Sequence, residues 1–97
     1  MKLTWSAYAL ADRALIFDYI EAVNPRAAVD MDERIAAALG RLTDFPESGR
    51  PGRIEGTREI VVNGTPYIAA YVVLQDRVRI LRLLHGAQRW PDASPET

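Results

Sequence analysis

The residues of this sequence whose types and spacing could do chemistry are the arginines of its second half and a single histidine. Residues 49–89 contain seven arginines, and His85 is the only histidine of the chain. The guanidinium group presents a planar fork of donors that matches phosphate and carboxylate oxygens. Histidine can transfer a proton near neutral pH. These residue types are suited to binding a polyanion or to proton transfer beside a phosphodiester.

Arg82 is the most informative of these arginines, because it interrupts an apolar run, VRILRLLH, at residues 78–85. Alternation along a strand places Arg82 on one face with aliphatic neighbours and His85 on the other face. An unpaired guanidinium among aliphatic side chains is costly, so Arg82 needs a carboxylate or an open cleft. Two interpretations are open: a structural ion pair, for which Glu59 is a candidate partner, and a functional role.

Two helices are expected in the first half of the chain. Ser6 is suited to cap a helix from Ala7 to about Val23, and Asn24–Pro25 separates it from a second helix that ends near Thr43. Apolar residues recur at spacings of three and four in both segments, which is typical of amphipathic helices packed as an antiparallel hairpin. The predicted stripes are Leu10, Ala14, Phe17 and Ile20 in the first helix, and Ala28, Met31, Ile35, Leu39 and Leu42 in the second.

Strand-like segments flank this hairpin, and Asn63–Gly64 is a strong turn signal between two of them. The predicted strands are residues 2–5, 58–62, 67–74 and 78–85. The order β-α-α-β-β-β predicts an α+β domain, with the helical hairpin packed on one face of a small antiparallel-rich sheet. This domain is expected to span residues 1–91, followed by a flexible tail at residues 92–97.

Composition and charge indicate a small soluble protein with one basic side. Apolar residues make up 48% of the 97 residues, and cysteine is absent. We therefore expect no disulfide, no metal site, no cofactor, no membrane span and a cytoplasmic location. Residues 1–48 carry five Lys+Arg against eight Asp+Glu (−3), residues 49–89 carry seven arginines against three acids (+4), and the remainder carries −2, for a total of −1. A basic face is expected from the second half.

Six segments of the chain resemble, in this order, the RelE/ParE superfamily of toxins from bacterial type II toxin–antitoxin modules: MKLTWSAYALADRALIFDYI, NPRAAV, LTDFPESGRPGR, GTREIVV, PYIAAYVV and RILRLLHGAQRWP. The resemblance covers residues 2–91. It implies the RelE-like fold and a growth inhibitor that a cognate RelB-like or ParD-like antitoxin neutralises. The antitoxin tail is often acidic in this superfamily, which the basic second half would favour.

Two molecular targets are implied by this resemblance. RelE-like members enter the ribosomal A site and cleave mRNA without a metal, by aligning the 2′-hydroxyl and stabilising charge on the phosphate. ParE-like members poison DNA gyrase and are not known as nucleases. The RelE and YoeB branches carry an arginine just before the middle of the central strand, where this chain has Ile68. Arg58 is expected close to that position if the first two long strands pair. An inactive relative that only binds its antitoxin is a third alternative.

The basic and aromatic side chains favour RNA cleavage slightly, whereas the acidic total charge and the ending LLHGAQ favour the ParE-like alternative. Tyrosines can stack on bases, although a tyrosine in a central strand is first a core residue. The candidates for catalysis are Arg58, Arg82 and His85. The candidates for binding nucleic acid or another target are Arg50, Arg53, Tyr67, Tyr71, Arg79 and Arg89.

Overall fold

Two α-helices and five strands make up residues 1–90, the part of the chain that the computed structural model describes. The elements are β1 (Lys2–Trp5), α1 (Ala7–Glu21), α2 (Pro25–Gly40), a 3-10 turn (Arg41–Thr43), β2 (Arg50–Pro51), β3 (Arg58–Val61), β4 (Tyr67–Val73) and β5 (Arg77–His85). The tail predicted at residues 92–97 lies outside the described residues. No helix within residues 1–90 has both the length and the hydropathy needed to cross a membrane.

The predicted α+β architecture is confirmed. The strands form one sheet in the order β1-β5-β4-β3-β2, in which β1 runs parallel to β5 and every other neighbouring pair is antiparallel. The helical hairpin covers one face, and the core lies between that face and α2. We call this the helix face of the sheet and the opposite side the far face. β4 is central and apolar on both faces, as predicted for residues 67–74.

The second helix follows its sequence pattern closely. The Asn24 side chain accepts a hydrogen bond from the Ala27 N–H at 3.1 Å, and Pro25 occupies the first turn. Ile35 and Leu39 are buried with exposures of 1% and 0%. The predicted core stripe of α2 is therefore confirmed, and Leu42 extends it into the 3-10 turn.

The first helix begins as predicted but turns a different side to the core. The Ser6 Oγ accepts from the Ala9 N–H at 2.9 Å and donates to the Leu81 carbonyl at 2.8 Å, which fixes the start of α1 against β5. Ala9 is fully buried and Ile16 packs on the core, whereas Leu10 is 52% exposed. The predicted stripe through Leu10 and Ala14 is wrong, because apolar residues occur on every side of this helix and periodicity alone cannot select the buried one.

A β-bulge changes the faces of β5. Tyr71 pairs with Ile80, but the preceding residue, Ala70, pairs with Arg82, so Leu81 is an extra residue in the ladder. His85 therefore shares the helix face with Ile80, and Arg82 lies on the far face. The predicted separation of Arg82 and His85 onto opposite faces is confirmed, but the bulge also separates Arg82 from Ile80, which strict alternation places on one face.

Candidate functional site

Arg82 is held by Asp12 of α1. Its Nε donates to Asp12 Oδ2 at 2.8 Å and its Nη2 donates to Oδ1 at 3.0 Å, a two-point contact between planar groups. The side chains are 21% and 11% exposed. The hydrogen bonds to the Asp12 carboxylate raise the pKa of Arg82 above its ordinary value. Glu59, the partner considered from sequence, does not contact Arg82, because it is engaged by two other arginines.

Asp12 also accepts a main-chain hydrogen bond at the edge of β5. β1 pairs with β5 only as far as Ile80, and α1 lies beside the strand beyond that point. The Leu83 N–H donates to Asp12 Oδ2 at 3.0 Å, which replaces a bond that a longer β1 would make. Asp12 thus joins the helix, the strand edge and Arg82, a structural role that sequence reasoning missed. The sequence feature that could have indicated this role is an acidic residue in the mostly apolar segment YALADRAL.

Arg50 and Arg53 converge on Glu59. The Glu59 carboxylate accepts from the Arg53 main-chain N–H at 2.8 Å, from Arg53 Nε at 3.1 Å and Nη2 at 3.2 Å, and from Arg50 Nη2 at 3.4 Å. The Arg53 guanidinium also lies 3.9 Å from the centre of the Trp90 ring, a cation–π contact. Burial raises the pKa of Glu59, but the bonds from Arg53 and Arg50 more than offset this, so the pKa lies below its ordinary value.

The ionised state of Glu59 makes stability depend on pH in the acid range. Because the folded pKa is depressed, the contribution is complete above the pKa of the unfolded chain, about 4.3, and disappears as pH falls through the folded pKa. We expect Glu59→Gln to lower the free energy of unfolding by about 1 kcal/mol at pH 7, since both arginines are substantially exposed. Urea titrations at pH 7 and pH 3 measure this difference. The gap between variant and parent should shrink at pH 3, and an equal gap at both pH values would contradict the assignment.

Arg58 and Tyr71 are neighbours across β3 and β4, and both hold the chain segment before β2. Arg58 Nη1 donates to the Gly49 carbonyl at 2.9 Å. The Tyr71 hydroxyl accepts from the Gly49 N–H and donates to the Pro46 carbonyl, each at 2.8 Å. Tyr71 is fully buried, so its ring lies in the core and not on a binding surface. Ile68 pairs with Val61, so the expectation that Arg58 lies next to Ile68 is wrong.

His85, which is exposed, and Tyr67, which is half-buried, form an aromatic pair at the end of the sheet. Their rings meet edge to face with centres 5.9 Å apart. The His85 Nδ1 accepts from the Ala87 N–H at 3.0 Å, which leaves Nε2 to carry the proton in the neutral ring. Together with Leu15 and Tyr19 of α1, this pair lines a shallow groove between the helix and the sheet. Burial, and then the neighbouring Tyr19, raise the pKa of Tyr67.

The three catalytic candidates lie in three separate places. Arg82 is on the far face and His85 on the helix face. Arg58 lies in the row of Tyr71, four positions along β4 from the row of Tyr67 and His85, a distance of about 13 Å. Among the remaining binding candidates, Arg79 is half-buried opposite Val72 and Arg89 is exposed after β5. Residues 1–90 contain no group of three His, Asp or Glu side chains placed to hold a metal ion.

Several large apolar side chains of α1, and Val23 two residues after its end, are exposed. The exposed side chains recur at helical spacing: Tyr8 (50%), Leu15 (67%), Tyr19 (77%) and Val23 (87%). Contiguous exposed apolar patches are, as a class, often contact surfaces. We call these four residues the α1 stripe. The sequence feature that could have indicated this stripe is that α1 has more apolar residues than one buried side can hold.

Known proteins with similar sequences are toxins. The model of the family described as the ParE toxin of the type II toxin–antitoxin system parDE matches residues 3–90. The putative toxin Y4kP of Sinorhizobium fredii is 42% identical over 90 residues, which cover 93% of each chain. Toxin RelE2 of Caulobacter vibrioides is 38% identical over 87 residues, which cover 90% of this chain and 97% of the relative.

A solved structure of a toxin–antitoxin system also resembles this fold. A chain of the chromosomal ParDE system from P. aeruginosa superimposes with a TM-score of 0.80 and 26% identity, over 88% of this chain and 95% of that one. The matches in sequence and in structure each span nearly the whole described fold, from β1 to the segment after β5. The chain therefore belongs to the ParE toxin family of type II toxin–antitoxin systems.

Proposed function

We propose that this toxin inhibits growth by binding a protein target, DNA gyrase, and does not cleave RNA. The observation that carries the proposal is that the two candidate catalytic arginines are already hydrogen-bonded within the fold and lie apart from His85. The guanidinium of Arg82 is occupied by Asp12, that of Arg58 donates to a main-chain carbonyl, and neither lies beside His85. A metal-independent ribonuclease needs cations that converge on one phosphate, whereas gyrase is the target that the ParE-like resemblance implies.

The α1 stripe supports a protein target as well. Tyr19 and Leu15 stand largely in solvent, although their burial would stabilise a complex by the hydrophobic effect. Aromatic and aliphatic side chains of this kind supply the centre of protein interfaces. Cleavage of RNA would instead require cations gathered beside His85, where neither Arg58 nor Arg82 lies.

Membership of a type II module implies an antitoxin as the second protein partner. The toxin is therefore expected to be recovered in a complex during normal growth and to act when the antitoxin is lost. Two different partners have to be accommodated on a chain of 97 residues. A shared or overlapping contact surface would allow the antitoxin to exclude the target directly.

Ribosome-dependent RNA cleavage is the second candidate, and the His85–Tyr67 pair favours it. The pair lines a groove, and it combines an exposed group that can transfer protons with a half-buried ring that can stack on a base. Ile68 occupies the place of the arginine that RelE-like members carry, which counts against this candidate. If the toxin cleaves RNA, His85→Ala should abolish killing although the variant remains folded.

Purified toxin added to gyrase with supercoiled DNA, and separately to translating ribosomes, distinguishes the two candidates. We expect trapped double-strand breaks in the DNA and no codon-positioned cuts in the mRNA. Tyr19→Glu should weaken the gyrase effect about tenfold or more, as expected for a central aromatic contact. Phe45→Glu is the matched control, since Phe45 is 65% exposed on the connection after the 3-10 turn. Cuts in mRNA that His85→Ala removes would overturn the gyrase proposal.

A further inference from the structure

The chain folds back onto the far face of the sheet directly after β5. The Gly86 N–H donates to the Pro66 carbonyl at 2.8 Å, and a Cβ on Gly86 would lie 3.4 Å from Cδ1 of Ile68. Ile68 faces away from the helices, because alternate residues of a strand face opposite sides and its neighbour Ala69 belongs to the core. The segment at residues 86–90, which we call the strap, therefore begins on the far face.

The strap also ends on the far face, at Trp90. The Arg53 guanidinium lies 3.9 Å from the centre of the Trp90 ring. Arg53 is hydrogen-bonded to Glu59, which pairs with Ala70, and Ala70 in turn pairs with Arg82 of the far face. Both ends of the strap thus lie on the side of the sheet opposite the helices.

An apolar strip of the sheet lies beside the strap. Leu84 and Ala70 share the far face and are only 2% and 7% exposed, and Ile68 is half-buried. The helical hairpin is on the other face and does not cover them. The strap adjoins Ile68 at its first residue and reaches the row of Ala70 at Trp90. It therefore shields apolar surface that the far face would otherwise present to water.

The outer end of the strap is held by a stack on a fixed guanidinium. The carboxylate of Glu59, which is 4% exposed, accepts from the Arg53 main-chain N–H at 2.8 Å and from its Nε and Nη2 at 3.1 and 3.2 Å. The Trp90 ring rests on that guanidinium. The Trp90 Nε1 is buried without a hydrogen-bond partner within residues 1–90, which is unfavourable and is relieved when water reaches it.

The rest of the strap has few buried contacts. Residues 86–89 are exposed. The hydrogen bonds that the N–H groups of Ala87 and Gln88 make return to His85, the last residue of β5. Exposed segments with few buried contacts open locally, without unfolding of the core. The strap can therefore leave the far face without breaking the ladder between β4 and β5.

We propose that the strap opens and closes over the far face as a unit while the sheet stays folded, and that the stack of Trp90 on Arg53 is its clasp. Opening hydrates the Trp90 N–H and uncovers the apolar strip of Ile68, Ala70 and Leu84. The toxin thus carries an apolar surface that is hidden in the closed state and presented in the open one. The inference holds whichever target the toxin binds.

Hydrogen exchange of the free toxin, read by NMR, tests for opening without unfolding. The Trp90 indole N–H is compared with the amide of Ser6, which is fully buried and bonded to the Ile80 carbonyl at 2.9 Å. We expect the protection factor of the indole N–H to be at least about tenfold lower. Trp5→Phe leaves Trp90 as the single tryptophan and so assigns the signal. Equal protection of the two groups would overturn the proposal, since the strap would then open only when the whole fold unfolds.

Two matched variants test the clasp. Arg53→Lys keeps a positive charge beside Glu59 but removes the planar group on which the Trp90 ring lies. We expect it to speed exchange of the indole N–H about threefold or more and to leave the Ser6 amide unchanged. Arg50→Lys is the control, because Arg50 shares the same carboxylate at 3.4 Å, whereas the stack belongs to Arg53.

The other outcomes of the variants contradict the proposal. Unchanged exchange of the Trp90 indole in a folded Arg53→Lys toxin would remove the clasp. Equal acceleration by Arg50→Lys would assign the hold to the charge around Glu59 and not to the stack. Acceleration of the Ser6 amide to the same extent as the indole would mean that Arg53 stabilises the whole fold and that the strap does not open separately.

Discussion

Replacing Asp12 by alanine is expected to lower the free energy of unfolding by about 3 kcal/mol, the loss typical of removing one partner from a largely buried ion pair. The change leaves the Arg82 guanidinium, 21% exposed, without its carboxylate. It also removes the acceptor of the Leu83 N–H. Urea unfolding followed by circular dichroism measures the loss as a lower midpoint at unchanged slope.

Asp18→Ala provides the matched control for this prediction. Asp18 is an exposed acid of the same helix, and its side chain makes no hydrogen bond or ion pair within residues 1–90. A surface substitution of this kind changes stability by about 0.5 kcal/mol or less. If Asp12→Ala proved no more harmful than Asp18→Ala, the Asp12–Arg82 contact would not be holding α1 to β5.

The role of Asp12 also governs how variants of Arg82 are interpreted. Arg82→Ala would leave the Asp12 carboxylate with only one of its hydrogen-bond donors, the Leu83 N–H. Toxicity lost in that variant would follow from a smaller folded population, without any contact between Arg82 and a target. Killing must therefore be normalised to the amount of folded toxin before Arg82 is assigned to a functional site.

The elements of this fold could be predicted where one physical requirement dominates. The core stripe of α2 is unambiguous because the charged residues of the helix lie mostly on its other sides. Ile35 and Leu39 can therefore be buried only by turning the stripe toward the sheet. The hairpin between β3 and β4 follows from Gly64, whose backbone φ of 78° is adopted readily by glycine and rarely by other residues. Local sequence is sufficient in both cases.

Tertiary contacts decided the features that the sequence left open. The buried side of α1 is selected by its anchor at Ser6, because apolar residues occur on every side of the helix. The face of Arg82 depends on a one-residue bulge that no periodicity records. β2 was not predicted, since its two residues form a strand only through their pairing with β3.

The arrangement of charge was the hardest part of the candidate site to predict. The surplus of arginines after residue 48 predicted one basic face, but ion pairs form between residues distant in sequence. Arg82 is paired with Asp12, 70 positions away, and so the acidic first half neutralises part of the basic second half. Arg41, which lies in that first half, lines a cleft beside β3 together with Arg50 and Glu59.

Tyr71→Phe is expected to destabilise the toxin by about 2–3 kcal/mol, although it removes a single oxygen atom. The hydroxyl is buried, accepts from the Gly49 N–H and donates to the Pro46 carbonyl. Its loss leaves the buried Gly49 N–H and the partly buried Pro46 carbonyl unpaired, and a buried unpaired group costs about 1–3 kcal/mol unless water enters. Tyr67→Phe is the control, since the Tyr67 hydroxyl makes no hydrogen bond within residues 1–90.

The same substitution tests how the pairing of β2 with β3 is maintained. Gly49 directly precedes β2, and a Cβ there would lie 2.5 Å from the Tyr71 hydroxyl, so this segment is fitted closely against the ring. Without the hydroxyl, the pairing of Arg50 with Glu59 should open more often, and the Glu59 amide should exchange faster than the amides bonded between β3 and β4. Uniform acceleration of all amides would instead mean that Tyr71 stabilises only the global fold. Local acceleration would establish that one buried hydroxyl holds β2 against β3.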